Sequence, residues 1–447
     1  WRFASTYRDR EFTAALARET YADYYRLRFP YDAEVAGRPR RLSPLHSRLQ
    51  AAGAVFGTKA GWERADLHRP GEPWTRNGRL PRERGWARPD WFERVGEEHT
   101  AVRERAGIID LTSFGKIDVS GPGALPLLDW VSANAIDRPP GSTIYTQWLH
   151  DRGGIVSDVT ITRLAEDRFR VMTGSGYLAA DLGLLVEAAA EDARFQDVLI
   201  GDETERWSII GLWGPRARDV LGAVTDDAVD DAALPLRQAR TVHIRTSTPS
   251  GSTAADVLAT RLSYAGELGW ELTVRPEDAG AVWDALVDAG GPHGLEPVGY
   301  RALESLRLEK GYRYFGAELT PRETPFEAGM ERFVRLDKGG FIGRDALLAL
   351  REVEPHGPAR RLRTVVIDGS EWQPVYGGEA VRIDGHVVGR LRSAAFGYTV
   401  GRTIGTTYLP ADVSEGAQIE VDVLADRLTG EVAADVPVDP AGAKMHG

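Results

Sequence analysis

The sequence predicts an α+β chain that ends in an antiparallel, jelly-roll-like barrel. Three observations predict it. Between about residues 89 and 355, segments with the apolar period of helices alternate with short strand-like runs. From about residue 356 helical periodicity stops, and short glycine-separated strands follow one another, as in "VRIDGHVVGRLRS" and "GAQIEVDVLADRLTGEV". Residues 1–88 are rich in Arg, Tyr, Trp, Gly and Pro with little periodicity after a first helix, which predicts a loop-rich layer resting on something else. The expected divisions are therefore 1–88, 89–355 and 356–447.

Taken in order, "DREFTAALARETYADYYRLRF" is the first helix. "EEHTAVRERAGI" is a helix expected to close at Gly107, "KIDVSG" a strand and "GALPLLDWVSA" a short helix. The strands "RGGIVSDVTITRL" (152–164) and "EDRFRVMTG" precede the helix "YLAADLGLLVEAAAE", and "ERWSIIGLWGP" is a strand turning into the helix "RARDVLGAV". In "DAGAVWDALVDAGG", Ala279, Val282, Leu286 and Ala289 fall on one helical face, and Gly290–Gly291 end the helix. In "GYRALESLRLEKG" (299–311), the period turns Ala302, Leu303, Leu306 and Leu308 inward and Arg301, Glu304, Arg307 and Glu309 outward.

A formal net charge of -11 argues against nucleic acid or an anionic membrane surface as the main partner and points to a small molecule. No apolar run is long enough for a membrane span and no secretory signal pattern opens the chain, so a cytoplasmic protein is expected. The absence of cysteine removes thiolate nucleophiles, iron–sulfur clusters and cysteine zinc sites, and the nine histidines are scattered, so no metal site is expected. A start at Trp1 rather than Met suggests processing, trimming or a missing upstream portion.

Two strands carry acids. With a period of two, Val159 and Ile161 share one face of the first, and Asp158, Thr160 and Thr162 the other. In "SYAGELGWELTV" (263–274), Leu268, Trp270, Leu272 and Val274 form an apolar face, with Glu267, Gly269 and Glu271 opposite. Solvated sheet faces explain such acids as well as a site does. Beside them lie Gly153–Gly154 and Gly266/Gly269, and glycine next to a strand marks close approach of backbone or ligand. Gly174, Gly176 and Ala179 formally fit a dinucleotide fingerprint, but no apolar strand with a terminal acid follows, so a tight strand-to-helix turn is expected instead. His46 and His150 lack partner motifs and are read as packing or hydrogen-bonding residues.

Taken together, "RAGIIDLTSFGKIDVSGPGA", "RGGIVSDVTITRL", "SYAGELGWEL", "VGYRALESLRLEKGYRYFGAELTPRETPFEAGM" and "FIGRDALL" resemble the folate-binding aminomethyltransferase family, the T-protein of glycine cleavage. Residues 1–88, with "YYRLRFPYDAE" and "GAVFGTKAGWER", resemble the segment joining the flavin and folate halves of dimethylglycine oxidase-like and sarcosine dehydrogenase-like enzymes. The resemblance implies a three-domain cloverleaf around a channel for tetrahydrofolate, with 89–355 as a folate-binding core of two subdomains and 356–447 as the barrel. It also implies site residues. Asp158 matches the Asp of the family's GGxxxD strand, placed where one-carbon transfer happens, and Thr160 follows on its face. Tyr264 and Glu271 match the Tyr and final Glu of the YxGExGxE run, the Glu gripping the 2-amino and N3–H edge of the pterin. Arg301 matches the helix-motif Arg near the folate. Arg390 and Arg392 make their stretch more basic than the family's, a candidate patch for a polyglutamate tail.

The function implied is tetrahydrofolate-dependent one-carbon transfer in N-demethylation of a methylated amine, forming 5,10-methylenetetrahydrofolate. FAD is expected only in a partner oxidoreductase chain or a missing upstream domain. Two alternatives stay open: direct transfer of a methyl group from an N-, O- or S-methyl donor to tetrahydrofolate, and a non-catalytic folate-binding subunit.

Overall fold

The structure, a computed structural model, describes residues 10–25, 35–70, 86–195, 197–248 and 251–446. Helix α1 (Arg10–Ala22) has no buried residue. The short helix α2 (His46–Ala51) leads into a hairpin of β1 (Ala54–Lys59) and β2 (Trp62–His68). Leu45, Leu49, Phe56 and Ala65 from this segment enter a core that lies mostly in later parts of the chain. In place of the expected loop-rich layer, residues 46–68 thus supply a short helix and a hairpin to that core.

Helix α3 (Phe92–Glu104) stops before Gly107, which lies instead inside strand β3 (Ala106–Asp110). The expected glycine cap is therefore corrected. A Cβ on Gly107 would stand 2.5 Å from a Val102 methyl and 2.8 Å from a Val298 methyl, so glycine here permits close packing of strand against helix. The chain then leaves this sheet. Strands β4 (Gly115–Ser120), β5 (Thr143–Leu149), β6 (Ile155–Ala165), β7 (Arg168–Thr173) and β8 (Leu199–Asp202) form a five-stranded antiparallel sheet ordered β5-β6-β7-β4-β8. Val159 and Ile161, with Ile117, Phe169 and Val171, pack on Leu127 and Leu128 of α4 (Ala124–Val131) and Leu185 of α5 (Leu178–Glu191).

The chain returns in β9 (Ser208–Trp213), which pairs with β3. After α6 (Ala217–Val224) come β10 (Ala239–Thr248), β11 (Gly251–Thr260) and β12 (Gly269–Val274), then α7 (Pro276–Gly290) and β13 (Leu295–Pro297). The resulting six-stranded sheet is ordered β10-β11-β12-β9-β3-β13 and is antiparallel except where β13 pairs with β3. Val220 and Leu221 of α6 and Val282 and Leu286 of α7 cover the face that bears Trp270, Leu272 and Val274. The five-stranded unit is thus an insertion between two adjacent strands of the six-stranded one.

Helix α8 (Tyr300–Glu309) corrects a second expectation. Its apolar residues are buried as predicted, but Arg307 and Glu309 are buried too. Arg307 donates to Glu318 at 2.8 Å and Glu304 at 2.5 Å, while Glu309 accepts from Arg103 at 3.0 Å and from the Thr399 backbone N–H at 2.7 Å. The helix is packed on more than one side, so charged positions that a surface helix would leave in water find partners inside. Helix α9 (Arg344–Val353) precedes β14 (Arg360–Ile367), β15 (Ala380–Ile383), β16 (His386–Gly397), β17 (Arg402–Pro410), β18 (Gln418–Val423) and β19 (Asp426–Val432). These form the closed antiparallel barrel β14-β17-β16-β15-β18-β19, filled by Val365, Ile367, Val381, Leu391 and Val421. No described helix is long and apolar enough to cross a membrane.

Candidate functional site

On β6, Asp158 stands opposite Gln147 of β5, and Thr160 stands between Tyr145 of β5 and Met172 of β7. Directly opposed residues point to the same side of a sheet, so Asp158, Thr160, Tyr145 and Met172 share the face away from the Val159/Ile161 core. The Tyr145 hydroxyl donates to Asp158 Oδ2 at 2.9 Å. Enclosure pushes the Asp158 carboxyl up to about 6; the Tyr145 hydrogen bond pulls it down, and the nearby Glu318 charge adds to the rise.

On β12, Glu271 lies opposite Gly211 of β9, and Gly211 lies opposite Ile109 of β3. Glu271 therefore shares its face with Ile109. That face is covered by one apolar cluster, which contains Ile109, Leu111, Ile209 and Trp213, with Tyr264, Tyr300 and Met172 packed against it. Met172 comes from the face that carries Asp158. The two acid-bearing sheet faces thus meet over a shared cluster. Both acids keep an intermediate share of accessible surface although protein surrounds their carboxylates, as for groups lining a cleft rather than an outer face.

Glu271 has no hydrogen bond or ion pair to its carboxylate among the described residues, and burial alone pushes it up to about 7. Beside it, the Tyr300 hydroxyl donates to the Asp110 carbonyl at 3.1 Å, and the Arg64 guanidinium lies 3.2 Å from the Tyr300 ring centroid. Burial raises the Tyr300 hydroxyl to about 12, with Glu271 among the charges acting on it. Tyr264 donates to the Arg313 carbonyl at 2.8 Å and stacks on Tyr312, with Asp158 and Glu318 within electrostatic range. Arg301 points elsewhere: its guanidinium lies 3.9 Å from Asp66 Oδ2 and 4.3 Å from the Trp91 ring centroid, toward the early hairpin and the start of α3.

The glycines beside the acids serve protein contacts. A Cβ on Gly154 would fall 2.3 Å from both His150 Nε2 and the Pro321 carbonyl; on Gly266, 2.4 Å from Lys310; on Gly269, 2.2 Å from the Leu212 carbonyl. His150 accepts at Nδ1 from the Arg152 N–H and lies 2.9 Å from the Pro321 carbonyl through Nε2, and His46 packs on Phe56, as expected of structural histidines. Gly174 and Gly176 form the turn between β7 and α5, and β7 is antiparallel to both neighbours, which excludes a parallel dinucleotide-binding unit. Tyr145, Met172, Tyr300 and Arg64 escaped the sequence reading, which assigned no strand to 143–149 despite the β-branched and aromatic residues of "TIYTQWL". Among the described residues no cluster of three or more His, Asp or Glu is placed to hold a metal ion.

Residues 45–338 match the GCVT N-terminal domain model, and residues 360–439 match the glycine cleavage T-protein C-terminal barrel domain. The chain belongs to the glycine cleavage T-protein family. An aminomethyltransferase of Symbiobacterium thermophilum is 33% identical over 351 residues, 78% of this chain and 90% of its own length. The crystal structure of aminomethyltransferase T from Bartonella henselae superposes with a TM-score of 0.73 at 25% identity, covering 90% of this chain and 99% of that one. The formaldehyde-forming 4-methylaminobutanoate oxidase of Paenarthrobacter nicotinovorans is 36% identical over 451 residues, 100% of this chain and 52% of its own. Mouse mitochondrial dimethylglycine dehydrogenase is 33% identical over 442 residues, 98% of this chain and 48% of its own. This T-protein family member thus spans about half the length of its oxidase and dehydrogenase relatives. The family is one of enzymes, transferases that bind tetrahydrofolate.

Proposed function

We propose that this chain is the tetrahydrofolate-dependent one-carbon transferase part of a demethylating system, forming 5,10-methylenetetrahydrofolate from a unit released by oxidation of a methylated amine. The observation that carries the reading is Glu271: an enclosed carboxylate with no hydrogen bond or ion pair among the described residues, on a sheet face that meets the one bearing Asp158. A carboxylate so placed calls for a ligand with paired N–H donors, and the pterin edge offers them. Bound tetrahydrofolate supplies nitrogens that take up formaldehyde with loss of water.

The chain's residues hold and protonate. Glu271 accepts two N–H groups and fixes the ring's orientation. Asp158 keeps one oxygen on Tyr145 and has the other free of that bond, at a value near 6 that lets it hold or release a proton near neutral pH. Met172, Tyr264 and Tyr300 pack where the two acid-bearing faces meet, and Thr160 lies beside Asp158 on its face. Arg301 acts at one remove, holding the α8 start against Asp66. Much of the rate gain comes from proximity, because formaldehyde and a reduced folate already react in water. The oxidation belongs to a flavin oxidoreductase, in a partner chain or in a longer form of the protein; relatives twice as long, bearing the names of an oxidase and a dehydrogenase of methylated amines, support this.

The test is to incubate the purified chain with tetrahydrofolate and formaldehyde, then with a flavoenzyme oxidising dimethylglycine, and to identify the folate product. Formation of the methylene derivative faster than the uncatalysed reaction is expected. Methyltetrahydrofolate formed without an oxidant points to direct demethylation, and folate binding with no acceleration to a non-catalytic subunit; either overturns the proposal.

A further inference from the structure

The barrel carries a cavity of its own, of about 660 Å³, opened by the 322–323 loop against β16 and β17. Six residues give it its character: Arg322, Glu323, Arg360, Arg390, Arg392 and Tyr408. Glu323 is fully buried at the base, bound by the Arg392 guanidinium and 3.6 Å from Arg360, which also donates to Glu327 at 2.8 Å. The Arg360 and Arg392 guanidinium carbons each lie 5.0 Å from the centroid of the Tyr408 ring. These two arginines are neutralised by glutamates and serve as framework.

The other two are not. Among the described residues the Arg322 and Arg390 guanidinium groups have no carboxylate and no hydrogen-bond acceptor, and both residues are exposed at the rim. With Arg360 and Arg392 neutralised, the two remaining guanidinium groups leave the cavity positive in a chain whose formal net charge is -11, and a concave wall of one sign concentrates its field. Val387, Val388 and Leu409 supply an apolar wall, and Val387 is 57% exposed. Volume and lining match a small-molecule site with a few charged anchors, and the cavity is too small for a nucleic acid surface.

We propose that this cavity binds a small organic anion with at least two carboxylates, held by Arg322 and Arg390. The sequence singled out Arg390 and Arg392 as a patch; the structure turns Arg392 inward to Glu323 and puts Arg322 in its place. A free dicarboxylate and a chain of γ-linked glutamates offer the same chemistry, the second resting on the folate reading.

Titration calorimetry of the whole chain with phthalate, tri-γ-glutamate and, as a cationic control, benzyltrimethylammonium separates these. Saturable binding of either anion is expected, with none of the cation, and weakening of about tenfold or more in the Arg322→Ser/Arg390→Ser double variant. Which anion binds tells the source. In the unsubstituted protein the same anion slows phenylglyoxal modification of Arg322 and Arg390. If neither anion saturates, if the double variant binds as tightly, or if the anion gives no protection, the site is refuted; the folate reaction at Asp158 would stand in each case.

Discussion

Tyr145 and Asp158 lie diagonally across the β5–β6 pair and share a hydrogen bond of 2.9 Å. The donor stabilises the charged carboxylate against an enclosure that disfavours it, and enclosure wins, leaving Asp158 at about 6. Removing the donor in Tyr145→Phe raises the carboxyl further. The limb of the pH–rate profile that reports Asp158 ionisation is expected to move to higher pH by about 0.5–1 unit. A profile that stays in place shows that the bond does not act on the reacting group.

Asp158→Asn removes proton exchange while keeping size and most hydrogen bonding. Folate affinity is expected to remain within a few fold and transfer to slow by about 10²-fold. Equilibrium binding and single-turnover rates read the two separately. Lost affinity with undiminished turnover in the bound enzyme assigns Asp158 to binding instead.

Glu271 is expected to show the opposite pattern. Glu271→Ala lowers folate affinity by about 10- to 100-fold, the worth of a charge-assisted pair of hydrogen bonds, and unchanged calorimetric affinity contradicts the assignment. The free protein gives a second readout. Its folded-state value of about 7 lies above the ordinary 4.5, so the folded chain holds more protons than the unfolded one between these values. Stability therefore falls as pH rises from about 4.5 to about 7 and levels off above it. Glu271→Gln stays neutral and is expected to be more stable than the unsubstituted protein by about 1–3 kcal/mol at pH 8, an advantage that disappears below pH 4.5.

The two acid strands were legible because strands impose a two-residue period, and Asp158 and Glu271 stand out against Val159/Ile161 and Trp270/Leu272. Their meeting was not legible. It depends on the five-stranded sheet being inserted between β3 and β9, a long-range pairing that no local pattern encodes. Tyr145 and Met172 become neighbours of Asp158 and Thr160 only through strand register. The barrel's strands were plain from the glycines between them, and β15–β16, β16–β17 and β18–β19 join through local turns, whereas the pairing of β14 with β17 and β19 is long-range. Gly107 misled because a glycine after a helix reads as a cap, whereas here Val102 and Val298 leave no room for a side chain.

Arg307 and Glu309 misled for a related reason, and Arg307 supports a last prediction. Helical period marks a polar stripe as exposed unless something else covers it, and here the barrel does. Arg307 joins α8 to Glu318 at 2.8 Å, and Glu318 also accepts from Thr406 of β17 at 2.8 Å and from the Tyr314 backbone N–H at 3.0 Å. Burial opposes ionisation of Glu318, but Arg307 and these donors outweigh it and hold the carboxyl below its ordinary 4.5. Its contribution to stability is thus present above about pH 4.5 and is lost as pH falls through the lower folded-state value. Glu318→Gln strands the buried Arg307 charge, with the half-exposed Glu304 as its remaining carboxylate among the described residues beside the neutral Tyr312 carbonyl at 2.9 Å, and is expected to cost about 3–5 kcal/mol at pH 7. The cost shrinks in acid, where the unsubstituted glutamate is itself protonated. Replacing both partners, Arg307→Met with Glu318→Met, removes the stranded charge and is expected to cost less than the two single changes together, because they share one interaction. Denaturant unfolding of the unsubstituted protein, Glu318→Gln, the two Met single variants and the double variant at pH 7 and pH 3 measures this, and additive costs with no pH dependence would remove the pair as the tie between α8 and the barrel.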